Sequence, residues 1–160
     1  MFTKEEKISL VQRFWIQFDA YCNTIPELAW KKKKWILHDT KISHVDLKFD
    51  PGRDFAMVTL EINHRSESSR LRIFELLEKY RLILEQGFSN HLTWDFCYLN
   101  INQQEVCRIY VKKEGLDLHR LSDWLDIHIF FAKNMNLLQE NFLEIQEMLI
   151  EEVSLAIREE

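Results

Sequence analysis

The chain has 160 residues, 46 % hydrophobic and 29 % charged, with a formal net charge of −5. That size and balance fit one globular domain over residues 1–160 and exclude linker-rich or collagen-like classes, since only three Gly and two Pro are present. No apolar run reaches the length that spans a bilayer, and Met1 to Gln12 carries Lys4, Glu5, Glu6 and Lys7 without an apolar stretch, so neither a membrane partner nor a secretory signal is expected. Three cysteines, Cys22, Cys97 and Cys107, form an odd set without short metal spacing, and no N-x-S/T triplet occurs. Free thiols and a cytoplasmic location follow from that usage. Residues 1–80 hold 14 basic and 12 acidic groups, whereas residues 81–160 hold 7 and 14. The overall sign does not favour nucleic acid.

Thr3-Lys4-Glu5-Glu6 has the spacing of a capping box. Ile8, Val11, Trp15, Phe18 and Cys22 follow at steps of three and four, with Phe14 and Tyr21 widening the stripe, so a helix is predicted from about Lys4 to Cys22. Pro26 stops it. His44 to Asp50 alternates strictly and reads as a half-buried strand. Pro51 to Asp54 is turn chemistry, and Phe55 to Asn63 is rich in strand formers. Pairing Asp50 with Phe55 closes a four-residue loop. It places Val45, Leu47 and Phe49 on one face with Ala56, Val58 and Leu60, and His44, Asp46 and Lys48 on the other with Met57, Thr59 and Glu61.

A second helix is predicted over Arg65 to Gln86, with Gly87 as its C-terminal cap. A second hairpin follows. Pairing Asn100 with Glu105 sets Trp94, Phe96 and Tyr98 against Val111, Ile109 and Cys107, and turns Cys97 and Cys107 to opposite faces. From Ser122 the chain reads as helical, broken near Lys133 to Asn136. The order is α, ββ, α, ββ, α, α. An antiparallel sheet of two hairpins, about four strands packed against helices, is the economical arrangement. Phe14, Trp15, Phe18, Val45, Leu47, Phe49, Val58, Leu60, Trp94, Phe96 and Ile109 are its expected core.

Phe14-Trp15-Ile16-Gln17-Phe18, Trp35 after a basic stretch, Val45 to Asp50, Ala56 to Asn63, Phe74-Glu75, Trp94 and Ser122-Asp123-Trp124 before a long last helix together resemble a family of short bacterial proteins, domain of unknown function 4268. The resemblance covers nearly the whole chain and implies an α+β domain. It implies no particular activity, and it brings no catalytic residues.

The chain lacks G-x-G-x-x-G, G-x-x-x-x-G-K-[ST], H-E-x-x-H, C-x-x-C and G-x-S-x-G. No cofactor and no metal are expected. The best polar cluster is His44, Asp46 and Glu61, with His64 beyond the strand. Imidazole beside carboxylate can exchange protons or hold a divalent ion, although the plainer explanation is the wet face of a sheet. The arrangement is similar to that of PD-(D/E)xK nucleases, except that Asn63 stands where lysine is expected, which removes a transition-state cation. Trp30, Lys31, Lys32, Lys33, Lys34 and Trp35 form the sharpest nucleic-acid candidate, lysines for phosphates and indoles for stacking. Arg65, Arg72 and Lys79 recur along helix two, interrupted by glutamates. His119, Asp123 and His128 lie near the start of the last helix with spacing that does not suit a metal.

The last helix carries two apolar seams. One runs through Leu138, Phe142, Ile145, Leu149 and Ala156, the other through Leu143, Ile150 and Ile157. A surface helix buries little more than ~100° of arc. The surplus points to a homodimer, with Leu138, Phe142, Ile145 and Leu149 as its contacts. The function expected from these features is a non-enzymatic protein–protein interaction module, with a nucleic-acid-associated or degenerate nuclease-like domain as the alternative.

Overall fold

The computed structural model describes residues 2–29 and 40–158. Helix α1 (Lys4–Asn23) is followed by strands β1 (Val45–Pro51) and β2 (Phe55–Ile62), helices α2 (Glu67–Lys79) and α3 (Arg81–Leu84), strands β3 (Thr93–Leu99) and β4 (Glu105–Glu114), a 3-10 turn at Leu121–Asp123 and helix α4 (Trp124–Arg158). The capping box forms as expected: Glu6 N–H donates to Thr3 Oγ1 (3.1 Å) and Thr3 N–H to Glu6 Oε2 (3.3 Å).

The four strands make one antiparallel sheet in the order β1-β2-β4-β3. β2 is therefore interior, and every residue from Ala56 to Ile62 is buried. β1 and β3 are edges, which is why Leu47, Phe49, Trp94 and Phe96 are only half-buried while Val45, Val58, Leu60 and Ile109 are fully so.

Both hairpin registers differ from expectation. Gly52 N–H donates to Phe55 O and Asn63 N–H to His44 O, each at 2.8 Å. The first loop is thus two residues, Arg53 and Asp54, and the pairing moves by two. Parity survives, so each side chain keeps its face. Gly52 permits the tighter turn, because a Cβ there would meet the Phe55 ring at 2.6 Å. In the second hairpin Asn100 N–H donates to Gln104 O, and Gln103 adopts φ +62°. This is a three-residue loop with a left-handed third residue. Tyr98 therefore faces Val106 instead of Cys107, and beyond a bulge between Asp95 and Tyr98 Trp94 stands opposite Ile109 instead of Val111, a shift of two that keeps the expected parity.

The helices differ too. The second one stops at Lys79 and restarts at Arg81. The last does not break at Lys133–Asn136 and runs for 35 residues; with neither Gly nor Pro in it, asparagines cost only tenths of a kcal/mol each.

The described chain forms two compact units. Of the described residues, the first holds 2–29, 50–57 and 112–133; the second holds 40–49, 58–111 and 134–158. Phe14, Trp15 and Phe18 fall in the first unit and the other expected core residues in the second. In the first, Phe14 stands edge-on to Trp124 (5.6 Å between centroids) and to Phe131 (6.2 Å), and Trp15 stacks on Phe131. His128 is buried among them, its Nε2 donating to Phe14 O at 3.3 Å. In the second, Ile73, Leu77, Leu138, Phe142, Ile145 and Leu149 are at most 1 % exposed. Asn141 Nδ2 donates to Leu84 O and Gln86 O (2.9 and 2.8 Å), tying the end of α3 to α4. Among the described residues no helix is long and apolar enough to cross a membrane.

Two outcomes follow. Gly87 has φ +85°, and a Cβ there would lie 2.8 Å from Leu137 Cδ1. Gly87→Ala is expected to cost about 1–2 kcal/mol in urea unfolding, since a left-handed alanine is strained even before the clash. Burial holds the His128 ring below its ordinary 6.5, against the opposing pull of the Phe14 carbonyl. The unfolded chain then binds the proton that the folded chain refuses, so stability is complete above about pH 6.5 and declines as pH falls below it. His128→Asn should flatten that decline between pH 7 and 5.5.

Candidate functional site

The polar face of the first hairpin is the sequence-predicted site, and it lies within the second unit. The two-residue shift places Asp46, rather than His44, opposite Glu61, and puts His44 opposite Asn63. Because β2 is interior, Glu61 is only 2 % exposed and Thr59 is fully buried. The wet-face expectation therefore fails on β2 and holds only on β1, where Asp46 and Lys48 are exposed.

A buried carboxylate must be paired, because unpaired charge in a low dielectric is costly. Glu61 is paired on both oxygens. Oε2 accepts from Lys48 Nζ (2.5 Å) and Asn63 Nδ2 (3.1 Å). Oε1 accepts from Arg108 Nε (3.2 Å) and lies 3.1 Å from Arg108 Nη2. Arg108 comes from β4 and lies over the Tyr98 ring, 4.3 Å from its centroid. Asn63 Nδ2 also donates to Asp46 Oδ2 (2.9 Å), so one amide links the two acids. Burial pushes the Glu61 carboxyl up. The hydrogen bonds from Lys48 and Asn63 and the two positive charges outweigh it, leaving Glu61 below its usual value of 4.5.

Chemically this is an internal ion-pair network. A divalent cation prefers several oxygen ligands, and here it would have to displace Lys48 and Arg108 from Glu61. Among the described residues no group of three His, Cys, Asp or Glu side chains is placed to hold a metal ion. His44 is drawn away from the acids. Its ring sits against His64 at 4.8 Å, and its backbone is left-handed, φ +66°. Lys48 and Arg108 were not among the sequence candidates. Lys48 was legible as a face-mate of Asp46, but Arg108 reaches Glu61 only because β4 pairs with β2, which no local pattern reveals.

The remaining candidates separate. Trp30, Lys31 to Lys34 and Trp35 lie outside the described residues. Leu138, Phe142, Ile145 and Leu149 are each 0 % exposed within the chain. That seam is part of the buried core of the chain, so these four side chains present no surface to a second copy. Arg72 Nη1 donates to Ala156 O (2.5 Å), and Lys79 pairs with Glu152 (3.2 Å), whose carboxylate also accepts from Tyr80. Two basic positions of α2, Arg72 and Lys79, thus engage the last turns of α4. His119 pairs with Asp117 (3.4 Å), Asp123 accepts from Arg120 (2.9 Å), and His128 is in the aromatic core, so these three do not form a site. Cys97 is exposed, Cys22 and Cys107 are buried, and all three are free thiols.

Fold and site together define a protein of the α+β class, built on an antiparallel four-stranded sheet with a charged network buried at its interior strand. The chain belongs to the DUF4268 family, a domain of unknown function, whose family model matches residues 10–146. No curated protein and no solved structure matches it.

Removing one partner of a buried ion pair strands the other. Glu61→Gln is expected to cost about 3 kcal/mol in chemical denaturation. Asp46→Asn, at an exposed position, should cost less than about 1 kcal/mol.

Proposed function

We propose that this protein is a non-catalytic interaction module that acts in the cytoplasm through protein–protein contact. The observation that carries the reading is the state of Glu61. Both oxygens of the carboxylate that a nuclease-like site would use are held by the protein's own cations. Lys48 does bring an ammonium into the acid cluster that Asn63 cannot supply. It is engaged with Glu61 itself, so it neutralises the acid rather than standing ready for a phosphate.

Contact surface is available elsewhere. In the first unit Leu121, Leu125 and Ile129 recur every four residues and are 53, 59 and 43 % exposed. Leu121 in the 3-10 turn leads into Leu125 and Ile129 on successive turns of α4, and an exposed aliphatic row of this kind is a form in which a helix offers itself to a partner. A second copy of the chain is the first partner to test, by way of this row instead of the buried seam.

Light scattering at micromolar concentration is expected to give twice the 19.5 kDa chain mass, and Leu125→Glu is expected to return it to the monomer. A wild-type mass that stays at one chain would remove the homodimer. Incubation with Mg²⁺ or Mn²⁺ and single- or double-stranded DNA is expected to leave the DNA intact. Metal-dependent cleavage lost in Glu61→Gln would overturn the non-catalytic reading.

A further inference from the structure

The second unit contains a cleft of about 480 Å³, within the size range of small-molecule sites. Its apolar wall is formed by Ile42 and Ile73 together with Ile150, Val153 and Ile157 of α4. Ile150 and Ile157 belong to the second seam of that helix, so part of the apolar arc left over by the first seam lines a cavity. The polar side of the cleft is Lys41, Ser43, His44, His64 and Ser154.

The chemistry of this lining is one-sided. One lysine, two histidines and two serines line it beside aliphatic surface. No Asp or Glu lines the cleft among the described residues, although the chain carries net negative charge and α4 carries several glutamates nearby in sequence. His64 Nδ1 accepts the Ser66 N–H (3.0 Å), which leaves the ring proton on Nε2, a donor.

The backbone that presents the polar side is held at some cost. Lys41 and His44 both have positive φ, +61° and +66°. Two left-handed residues without glycine need a surrounding that enforces them. Thr40 supplies it. Its buried Oγ1 donates to Val45 O (2.6 Å) and accepts the Ile42 N–H (3.3 Å), and its carbonyl accepts from Gln146 Nε2 of α4 (2.9 Å). The turn is thereby anchored to the same helix that forms the apolar wall.

We infer that this cleft binds a small amphiphilic anion, an aliphatic chain ending in a carboxylate, with the chain against Ile73, Ile150, Val153 and Ile157 and the head group at Lys41, His44 and His64. The inference is independent of the interaction reading, which rests on Glu61 and on a contact row in the first unit, none of which lines the cleft.

Titration of the full chain with octanoate, octylammonium and octan-1-ol, followed by methyl and amide NMR, tests it. Octanoate is expected to bind saturably, moving the methyl signals of Ile73, Ile150, Val153 and Ile157, and to bind about tenfold or more tightly than octylammonium. Lys41→Glu, a surface change, should weaken octanoate about fivefold. Ser154→Trp, at an exposed position, should abolish binding by filling the cleft while leaving the rest of the spectrum unchanged. Equal binding of all three probes, shifts outside the cleft, or no saturation with octanoate would each overturn the inference.

Discussion

A carboxylate on an interior strand must find its counter-charges within the protein. β2 has a strand on either side and is buried from Ala56 to Ile62, so Glu61 cannot rely on water. Its partners come from both neighbours: Lys48 from β1 and Arg108 from β4. Arg108 is itself buried and lies against the Tyr98 ring of β3. One acidic side chain therefore links residues of all four strands. A slip of one residue in β2 would turn Glu61 to the opposite face of the sheet, away from both cations. The network thus penalises the wrong register as well as stabilising the right one, a role for which buried polar groups are suited when every member is satisfied.

The two helical ends of the second unit follow similar logic. Glu85 is nearly buried and accepts from Leu92 N–H (2.8 Å), Trp94 Nε1 (3.1 Å) and Arg81 Nε (3.3 Å), joining α3 to the start of β3. Burial raises its carboxyl, and the hydrogen bonds from His91, Trp94, Leu92 and Arg81 more than reverse that. Glu152 holds Lys79 and Tyr80 on the other side. Two acids of the second half of the chain, Glu85 and Glu152, are thus placed where basic or hydrogen-donating groups of α2, α3 and β3 meet them.

Element type was legible in the sequence because period and capping are local. Thr3 and Glu6 announce the start of α1, and strict alternation announces β1. Loop length was not, because it depends on conformations that the residues merely permit. Gly52 allows the Phe55 ring to approach, so two residues close the first turn where four were expected. Gln103 accepts a left-handed backbone without being glycine, and that single residue moves the second hairpin one step out of register; the bulge near Phe96 and Cys97 adds a second step, which recovers the expected faces but not the expected partners. The site was half legible for the same reason. Asp46, Lys48 and Glu61 share a face by parity alone, whereas Arg108 joins them through strand order. The seam of Leu138, Phe142, Ile145 and Leu149 was correctly apolar, but periodicity does not say whether a neighbour in the same chain or another copy covers it.

The central claim is that Glu61 belongs to a closed ion-pair network and not to a metal-dependent centre. Carbon-detected NMR of the glutamate side-chain carboxyls, with Mn²⁺ added stepwise at neutral pH, addresses it most directly. The Glu61 signal is expected to keep its position and width while exposed carboxylates broaden, and to titrate below 4.5, its usual value. Saturable broadening of Glu61 and Asp46 together at low Mn²⁺ would show a cation entering between them and contradict the claim.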